Sequence, residues 1–481
     1  MTNHLLVRLS VALAATVASQ LLPATPLVAN DYYVDAEFGD DAGGDGSAGK
    51  PWRTVTHAMA QVAGAGDRVN VGAGLYDALL GEAPRLSVKD GVQVIGAAAS
   101  TTRLQSLLVF EDTSLGSTIE KLTFTGLEAS ARSTVCRLTL SSCLVDLEFD
   151  WVRFAAAAGG WLEPRISQCR IQGRAPRLIE LDASEGSTLA GEVRDSSFYL
   201  GMDGTYLIYV SLGAGSHFST DFIGNLFDAK RHEGMAFWIG YDVIEPRNTF
   251  DSFYLNNTLL IGSFHLMYGV EHDLVLVNNI LLQENGLWLA DPDRIWHNLL
   301  TDPDLIGRNG NITGDPRFRD PRTDYRLLPS SPCVDAGLDL ASLPLADSRG
   351  TPRRLDGDLS ARATVDIGAY ELTHAELTVG GELRPGGYVD VAVDGPQGLL
   401  GFLFLGLEPD FVPLGSLGAL LLTPVAGFAP AVLGALPVQA RFSVPDAEGL
   451  GGLCFFGQAL ALHPALAAGT AGNRVTIALA E

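Results

Sequence analysis

Lysine is nearly missing from this chain. Among 481 residues there are four, Lys50, Lys89, Lys121 and Lys230, and no basic run. With 32 Lys plus Arg against 56 Asp plus Glu, the formal net charge is -24. That balance excludes the electrostatic footprint of a nucleic-acid binder or of a protein held on an anionic membrane. Cysteine is scarce as well. Cys136, Cys143, Cys169, Cys333 and Cys454 are odd in number and form no C-x-x-C, which argues against a dense disulfide scaffold and a zinc knuckle. Tryptophan is missing after residue 300. Charged residues make up only 18% of the chain and hydrophobic ones 47%, so bulk disorder is excluded and a large core is available. The length implies two or more structural units.

Residues 411–440 carry no charged residue at all. The run is long enough to cross a bilayer. Pro424, Pro430 and several glycines interrupt it, and no Lys/Arg cluster flanks it, so buried strands joined by turns are the better expectation. The N-terminus is different. His4 and Arg8 precede "LSVALAATVASQLL", and small residues and "PLVAN" follow, the pattern of an export signal over residues 1–29. Cleavage after Ala29 or near Ala18 fits. Pro23 and Pro26 argue against a buried helix, and no lipobox cysteine follows. An extracellular or cell-surface location is expected, where disulfides are permitted but not required.

What the chain does contain is a repeat. The segments "IEKLTF", "LSSCLV", "ISQCRI", "RDSSFY", "FIGNLF", "LNNTLL", "LVNNIL" and "IWHNLL" align on a polar position at Lys121, Cys143, Cys169, Ser197, Asn225, Asn257, Asn279 and Asn298. Successive spacings are 22, 26, 28, 28, 32, 22 and 19 residues. A recurring β-rich unit without helical periodicity indicates a parallel β-helix solenoid. Coils stack roughly 4.8 Å apart, so a residue at one fixed position in each coil lies over its counterpart. Asparagine tolerates left-handed backbone at tight turns, and its amide both donates and accepts. Asn225, Asn257, Asn279 and Asn298 are therefore expected to form an inward asparagine ladder. Cys143, Cys169 and Ser197 would continue it, the two thiols free rather than bridged.

Residues 30–100 contain a strand at Tyr32–Asp35, a Gly/Asp turn and a helix from about Trp52, with Val55, Met59 and Val62 on one face. A solenoid's first coil needs its apolar end covered, and this helix suits that role. The order "YYVD", Gly39-Asp40, Asp45-Gly46, Pro51-Trp52, Gly66-Asp67 and "VGAGLY" resembles the opening module of secreted bacterial right-handed parallel β-helix proteins, pectate-lyase-like proteins among them. Downstream, "GDPRFRDPRTDYRLLPSSPCVDAG" and "VDIGAYE" resemble the closing module of the same broad group, in a "choice-of-anchor" arrangement. The resemblance covers residues 31–371 and implies fold and export, not a single reaction. The expected organisation is a cap and first coils over 30–100, β-helix over 101–312, closing module over 313–372, and a small all-β sandwich over 373–481 whose Gly/Pro turns separate short strands. Without tryptophan, that last domain is not expected to stack sugars.

Two kinds of chemistry suit such a fold. β-Elimination on a uronate needs a base and a cation or acid. Hydrolysis needs carboxylates at a defined separation. Lys230, His232 and Glu233 in "DAKRHEG", and His272 in "GVEHDLV", are the candidate catalytic residues, with His265 between them. No "NTD…DD…HG" or "RxxPxxR" set accompanies them, and charged loop residues are usually solvated surface. Calcium is a candidate ligand for the Asp- and Arg-rich closing stretch, with Asp315, Asp320, Asp324, Arg326, Asp335, Arg353, Arg354, Asp356, Asp366 and Glu371, and for the turn at Asp40, Asp41 and Asp45. Ion pairs and turn caps are the expectation placed ahead of it. Binding of polysaccharide or cell-envelope glycan is the preferred functional expectation. A pectate-lyase-like enzyme acting on acidic polysaccharide is the alternative.

Overall fold

The computed structural model describes residues 29–480 except 148–150, 202–205, 230–236, 241–247, 262–263, 267–270, 284–290, 361, 426–429, 448 and 464–468. The side chains of 237–240, 264–266, 271–272 and 416 also fall outside the description. The chain is a nearly all-β parallel solenoid followed by a small antiparallel β region.

Each coil contributes up to three strands. The first face is an eleven-stranded parallel sheet that begins at Asp31–Val34 and ends at Ile295–Trp296. The second face runs from Leu144–Leu147 to Ile280–Leu282, and the third from Val152–Ala157 to Phe264–Leu266. The ten-residue strand Thr123–Arg132 serves both of these faces, pairing with Leu144–Leu147 at its start and Val152–Ala157 further on. The helix Val55–Gln61 interrupts the first coil, capped by the Thr54 hydroxyl accepting from His57 N at 3.0 Å. Its Val55, Ala58 and Met59, with Val62, are buried in the main core. The nearby acids serve turns: Asp41 accepts from Arg53 N and Thr54 N, Asp40 from Ala42 N, and Asp45 from Ser47 N.

Parallel register turns each inward position into a column. On the first face, Val69, Val94, Ile119, Leu140, Ile166, Val193, Phe222, Tyr254, Leu276 and Ile295 follow one another coil by coil. Where the column becomes aromatic the rings stack, Phe222 on Tyr254 at 4.8 Å, and Phe218 on Phe250 beside them at 4.9 Å. Each such buried side chain contributes on the order of 1.5–3 kcal/mol.

The corner between the first and second faces has a fixed two-residue pattern. Its first residue takes a left-handed backbone with φ of 49–69° at Lys121, Ser142, Gln168, Asp195, Gly224, Asn256, Asn278 and His297. Its second residue turns inward. There the Asn Oδ1 of one coil accepts from the backbone N–H of the preceding one: Asn225 N to Asn257 at 2.9 Å, Asn257 N to Asn279 at 2.9 Å, and Asn279 N to Asn298 at 2.8 Å. The amides also bond to each other, at 3.1, 3.0 and 3.0 Å along the same series. Their remaining N–H groups reach carbonyls, as Asn279 Nδ2 does at Tyr254 O and Val277 O. All four asparagines are fully buried.

The register corrects two expectations by one residue each. Lys121 occupies the left-handed position, so the inward residue of its coil is Leu122. The column passes through Ser196, not Ser197: Ser196 N donates to Asn225 Oδ1 at 3.0 Å, and Ser196 Oγ accepts from Cys169 N at 3.1 Å. Ser197 instead begins the second-face strand, opposite Arg170 and Leu226. At the other end the series continues to Asn311, whose Oδ1 accepts from Asn298 N at 2.9 Å. All five cysteines are free. The neighbouring Cys169 thiol, together with burial, pushes the Cys143 thiol well above its ordinary range.

The outward residues of the same corner hold the segment that follows the solenoid. Asn278 accepts from Leu338 N at 2.7 Å and donates to Leu338 O at 2.9 Å. Asn256 donates to Asp366 O and Gly368 O, and His297 Nδ1 donates to Ala336 O at 3.0 Å. Arg353, with no exposed surface, enters this seam beside Gly224, where a Cβ would lie 2.9 Å from its Nη2. It donates to Gly368 O at 3.2 Å and Glu371 Oε1 at 3.1 Å. Asp347, Asp366 and Glu371 are buried around it. Asp366 accepts from Asp335 N and Leu372 N, bonds that favour its charged form. Burial outweighs them and pushes Asp366 up to about 7. Burial and the neighbouring Asp366 likewise raise Glu371 well above its usual range.

Beyond this seam lie a three-stranded antiparallel sheet of Glu376–Glu382, Tyr388–Asp394 and Val438–Ser443, and a five-stranded one built on Leu400–Glu408, Cys454–Leu462 and Gly469–Ala478. Within 411–440 the described residues form only short strands, Ala431–Ala435 being the longest, and a turn of 3-10 helix. Among the described residues no helix is long and apolar enough to cross a membrane. Arg319, Arg326 and Arg349 converge on Glu376 and join this region to the closing segment.

Two outcomes follow. Asn279→Ala strips the acceptor from Asn257 N and Nδ2, both buried, and should cost roughly 3–5 kcal/mol at ~1–3 kcal/mol per orphaned group. Asn279→Ser, which keeps a shorter acceptor, should recover part of that in urea unfolding. The second concerns pH. Folded Asp366 retains a proton that the unfolded chain releases above its ordinary pKa of 3.8. Its contribution is therefore full at acid pH and declines as pH rises from about 4 to about 7, by up to roughly 4 kcal/mol. The stability difference between wild type and Asp366→Asn should change across that window and be flat above it.

Candidate functional site

The third face carries an open cleft of about 660 Å³. Its floor is made by five parallel strands, Thr102–Glu111, Thr123–Arg132, Val152–Ala157, Arg177–Ala183 and Tyr206–Leu212. Alternation sends every second side chain outward, and parallel register aligns these outward residues in rows. One row is Glu128, Arg153, Glu180 and Tyr209; the next is Ser130, Ala155, Asp182 and Ser211. In backbone register Tyr209 pairs with Trp238, and Trp238 with His265.

Opposite charges in neighbouring coils lock the rows. Arg153 donates through Nε and Nη2 to Asp182 Oδ2, at 3.1 and 2.9 Å. Arg177 donates to Glu180 at 2.8 Å and lies 3.7 Å over the Tyr209 ring. The Trp151 indole donates to Glu128 at 3.2 Å, and Arg85 pairs with the same carboxylate. Burial and the Glu180 charge raise the Asp182 carboxyl despite its bonds to Arg153. Burial alone would lower Arg153, but its bonds and attraction to Asp182 raise it. A raised carboxyl two residues from a second one is a starting point for acid–base work on a glycosidic bond. Here both are engaged by arginine, so the arrangement as it stands orients planar donors, acceptors and rings along a trough.

The residues singled out in the sequence do not gather here. Lys230, His232 and Glu233 lie outside the described residues, as do the side chains of His265 and His272. The strands that carry the two histidines belong to different faces, Phe264–Leu266 to the third and Glu271–Val277 to the first. Glu128, Arg153, Arg177, Glu180, Asp182 and Tyr209 were not flagged by sequence reasoning. "RLIELDA" alternates as any half-solvated strand does, and only the register shows what each side chain meets.

For a cation, Asp335, Asp356 and Asp358 bring ligand oxygens within 4.8 Å of one another, and among the described residues they are the one acidic, His or Cys group that does so. Their carboxylates already serve local turns: Asp335 accepts from Asp358 N, while Asp356 and Asp358 both accept from Ser360 N. Burial pushes Asp335 up to about 6. The exposed Asp40, Asp41 and Asp45 turn forms no such group.

Residues 38–139 match a family described as "Protein of unknown function (DUF1565)". No curated protein matches the chain in sequence. Two crystal structures of the GH136 lacto-N-biosidase from Eubacterium ramulus are distantly similar. The native protein is 11% identical, over 59% of this chain and 68% of that one, with a TM-score of 0.31. The selenomethionine derivative is 10% identical, over 60% and 67%, with a TM-score of 0.29.

Proposed function

We propose that this is an exported, cell-surface β-solenoid that binds a polysaccharide or cell-envelope glycan along its third face. The observation that carries the reading is the trough itself, in which arginines and carboxylates recur coil after coil over about 660 Å³, with the Tyr209 ring among them. Coils repeat at ~4.8 Å, so a linear polymer lying across them meets equivalent groups at a spacing on the scale of its own residues. Aromatic faces and planar side chains suit the mixed apolar and hydroxylated surfaces of a sugar.

The charge balance narrows the ligand. Arg153 and Arg177 are each neutralised by a carboxylate on the same face. A polyanion entering here would meet Glu128, Glu180 and Asp182 and would have to displace them, so a neutral glycan fits better than a uronate polymer. Lysis by β-elimination would rest on Lys230, His232, Glu233 and His272, whose side chains lie outside the described residues.

The test is affinity electrophoresis of the mature protein through neutral and uronate polysaccharides, with absorbance followed for unsaturated products. Retention by at least one neutral glycan is expected. Arg177→Ala or Tyr209→Ala should weaken it about tenfold, which is ~1.4 kcal/mol. Retention untouched by both substitutions, or release of unsaturated products from a uronate polymer, would overturn the reading.

A further inference from the structure

The uncharged stretch 411–440 has no part in the glycan trough. It contributes instead to an opening between the two antiparallel sheets of residues 376–479. One end of this sandwich is packed by Leu377, Val393, Leu399 and Leu436. At the other end the sheets part around an apolar cavity of about 450 Å³ that opens to solvent. Val389, Val391 and Phe442 face it from the three-stranded sheet, and Leu403, Phe455 and Ile477 from the five-stranded one. No charged residue lines it among the described residues, and Ser443, the one polar residue at its edge, follows Phe442 on the strand and turns its side chain to the opposite face with Arg441.

Protein interiors are packed like organic solids, and a space of this size is not an ordinary packing defect. Ordered water needs two to four polar partners, and these apolar walls do not supply them. The volume falls within the range of small-ligand sites, and the lining is more apolar than most. Phe442 and Leu405, both 38% exposed, place apolar surface at its mouth. We infer that the cavity is a binding site for the hydrocarbon chain of a single-chain amphiphile with an uncharged head.

The head group follows from what surrounds the walls. The strand bearing Leu403 and Leu405 runs on to Glu408 and Asp410, and the segment bearing Ser443 and Pro445 runs on to Asp446. All three acids are exposed. The domain contains no lysine, and Arg441, on the strand that bears Phe442, is engaged by Asp390 at 2.6 Å and lies over the Tyr388 ring. A carboxylate or phosphate head would sit among like charges, and no arginine lines the opening among the described residues. A neutral head meets no such penalty. This site is separate from the third-face trough, so the two assignments stand or fall independently.

Uptake of Nile red by the mature protein should saturate at one dye per chain. Monolaurin, below its micellar concentration, should displace it. Laurate should compete at least tenfold less well. Ala431→Phe and Val389→Phe fill the cavity from opposite sheets, and each should weaken dye and monolaurin binding at least tenfold while leaving glycan retention unchanged. Requiring the effect from both variants guards against one that simply misfolds, and thermal unfolding reports that separately. Dye uptake unchanged in two folded variants would overturn the inference. Laurate competing as well as monolaurin would overturn the head-group assignment. Concentration-dependent dimerisation that excludes the dye would give the cavity to a second copy of the chain and overturn it too.

Discussion

Every coil of the solenoid turns a corner at which a backbone N–H points along the stack with no strand partner, and the structure depends on how that group is satisfied. From Ser196 onward the acceptor is a side-chain oxygen of the next coil: an asparagine Oδ1 at 225, 257, 279, 298 and 311. A buried amide group left without a partner costs ~1–3 kcal/mol, and here the cost would recur at every turn. The asparagine amide resolves it because it accepts from the coil before and donates to the coil after. Earlier in the chain Cys143 and Cys169 fill the same place with weaker sulfur bonds, to Ser141 O and Ser167 O respectively.

The residue just before this column explains how a one-dimensional stack becomes a closed body. Its left-handed backbone turns the side chain outward, where it serves as an attachment point. Asn256, Asn278 and His297 bind the backbone of residues 336–368 there. Gly224 leaves room for Arg353, whose charge is held among Asp347, Asp366 and Glu371 in a seam without exposed surface. Several carboxyls around one guanidinium cannot all ionise away from water, and protonation of Asp366 relieves the excess. The paired "NN" of 256–257 and 278–279 thus does two jobs, one residue facing the closing segment and the other facing the core.

Much of this was legible in the sequence, and the rest fails for definable reasons. Recurrence marks Asn225, Asn257, Asn279 and Asn298, and the hydrogen bonds join those same four. In "DSSF" two adjacent serines are equivalent by composition, so spacing alone misplaced the inward one at Ser197 instead of Ser196. Lys121 was drawn into the alignment because the left-handed position is also polar. Asn311 fell outside the repeat because its coil is only thirteen residues long. The trough was invisible because a strand such as Arg177–Ala183 records only which residues face out. What each one touches depends on partners 23–29 positions away: Arg153 on Asp182, Glu128 on Trp151. The apolar cavity was hidden for the opposite reason, since an uncharged run reads as core whether or not anything fills the space between its sheets.

The third-face trough sits on a scaffold whose coils are closed at the corner amides. The most direct measurement of that closure is hydrogen exchange of the backbone N–H groups of Asn225, Asn257, Asn279 and Asn298 in the native protein. They should exchange as slowly as the central strand amides of the first face, through global unfolding alone. Exchange at the rate of exposed turns would contradict the claim that the amide column is what closes each coil.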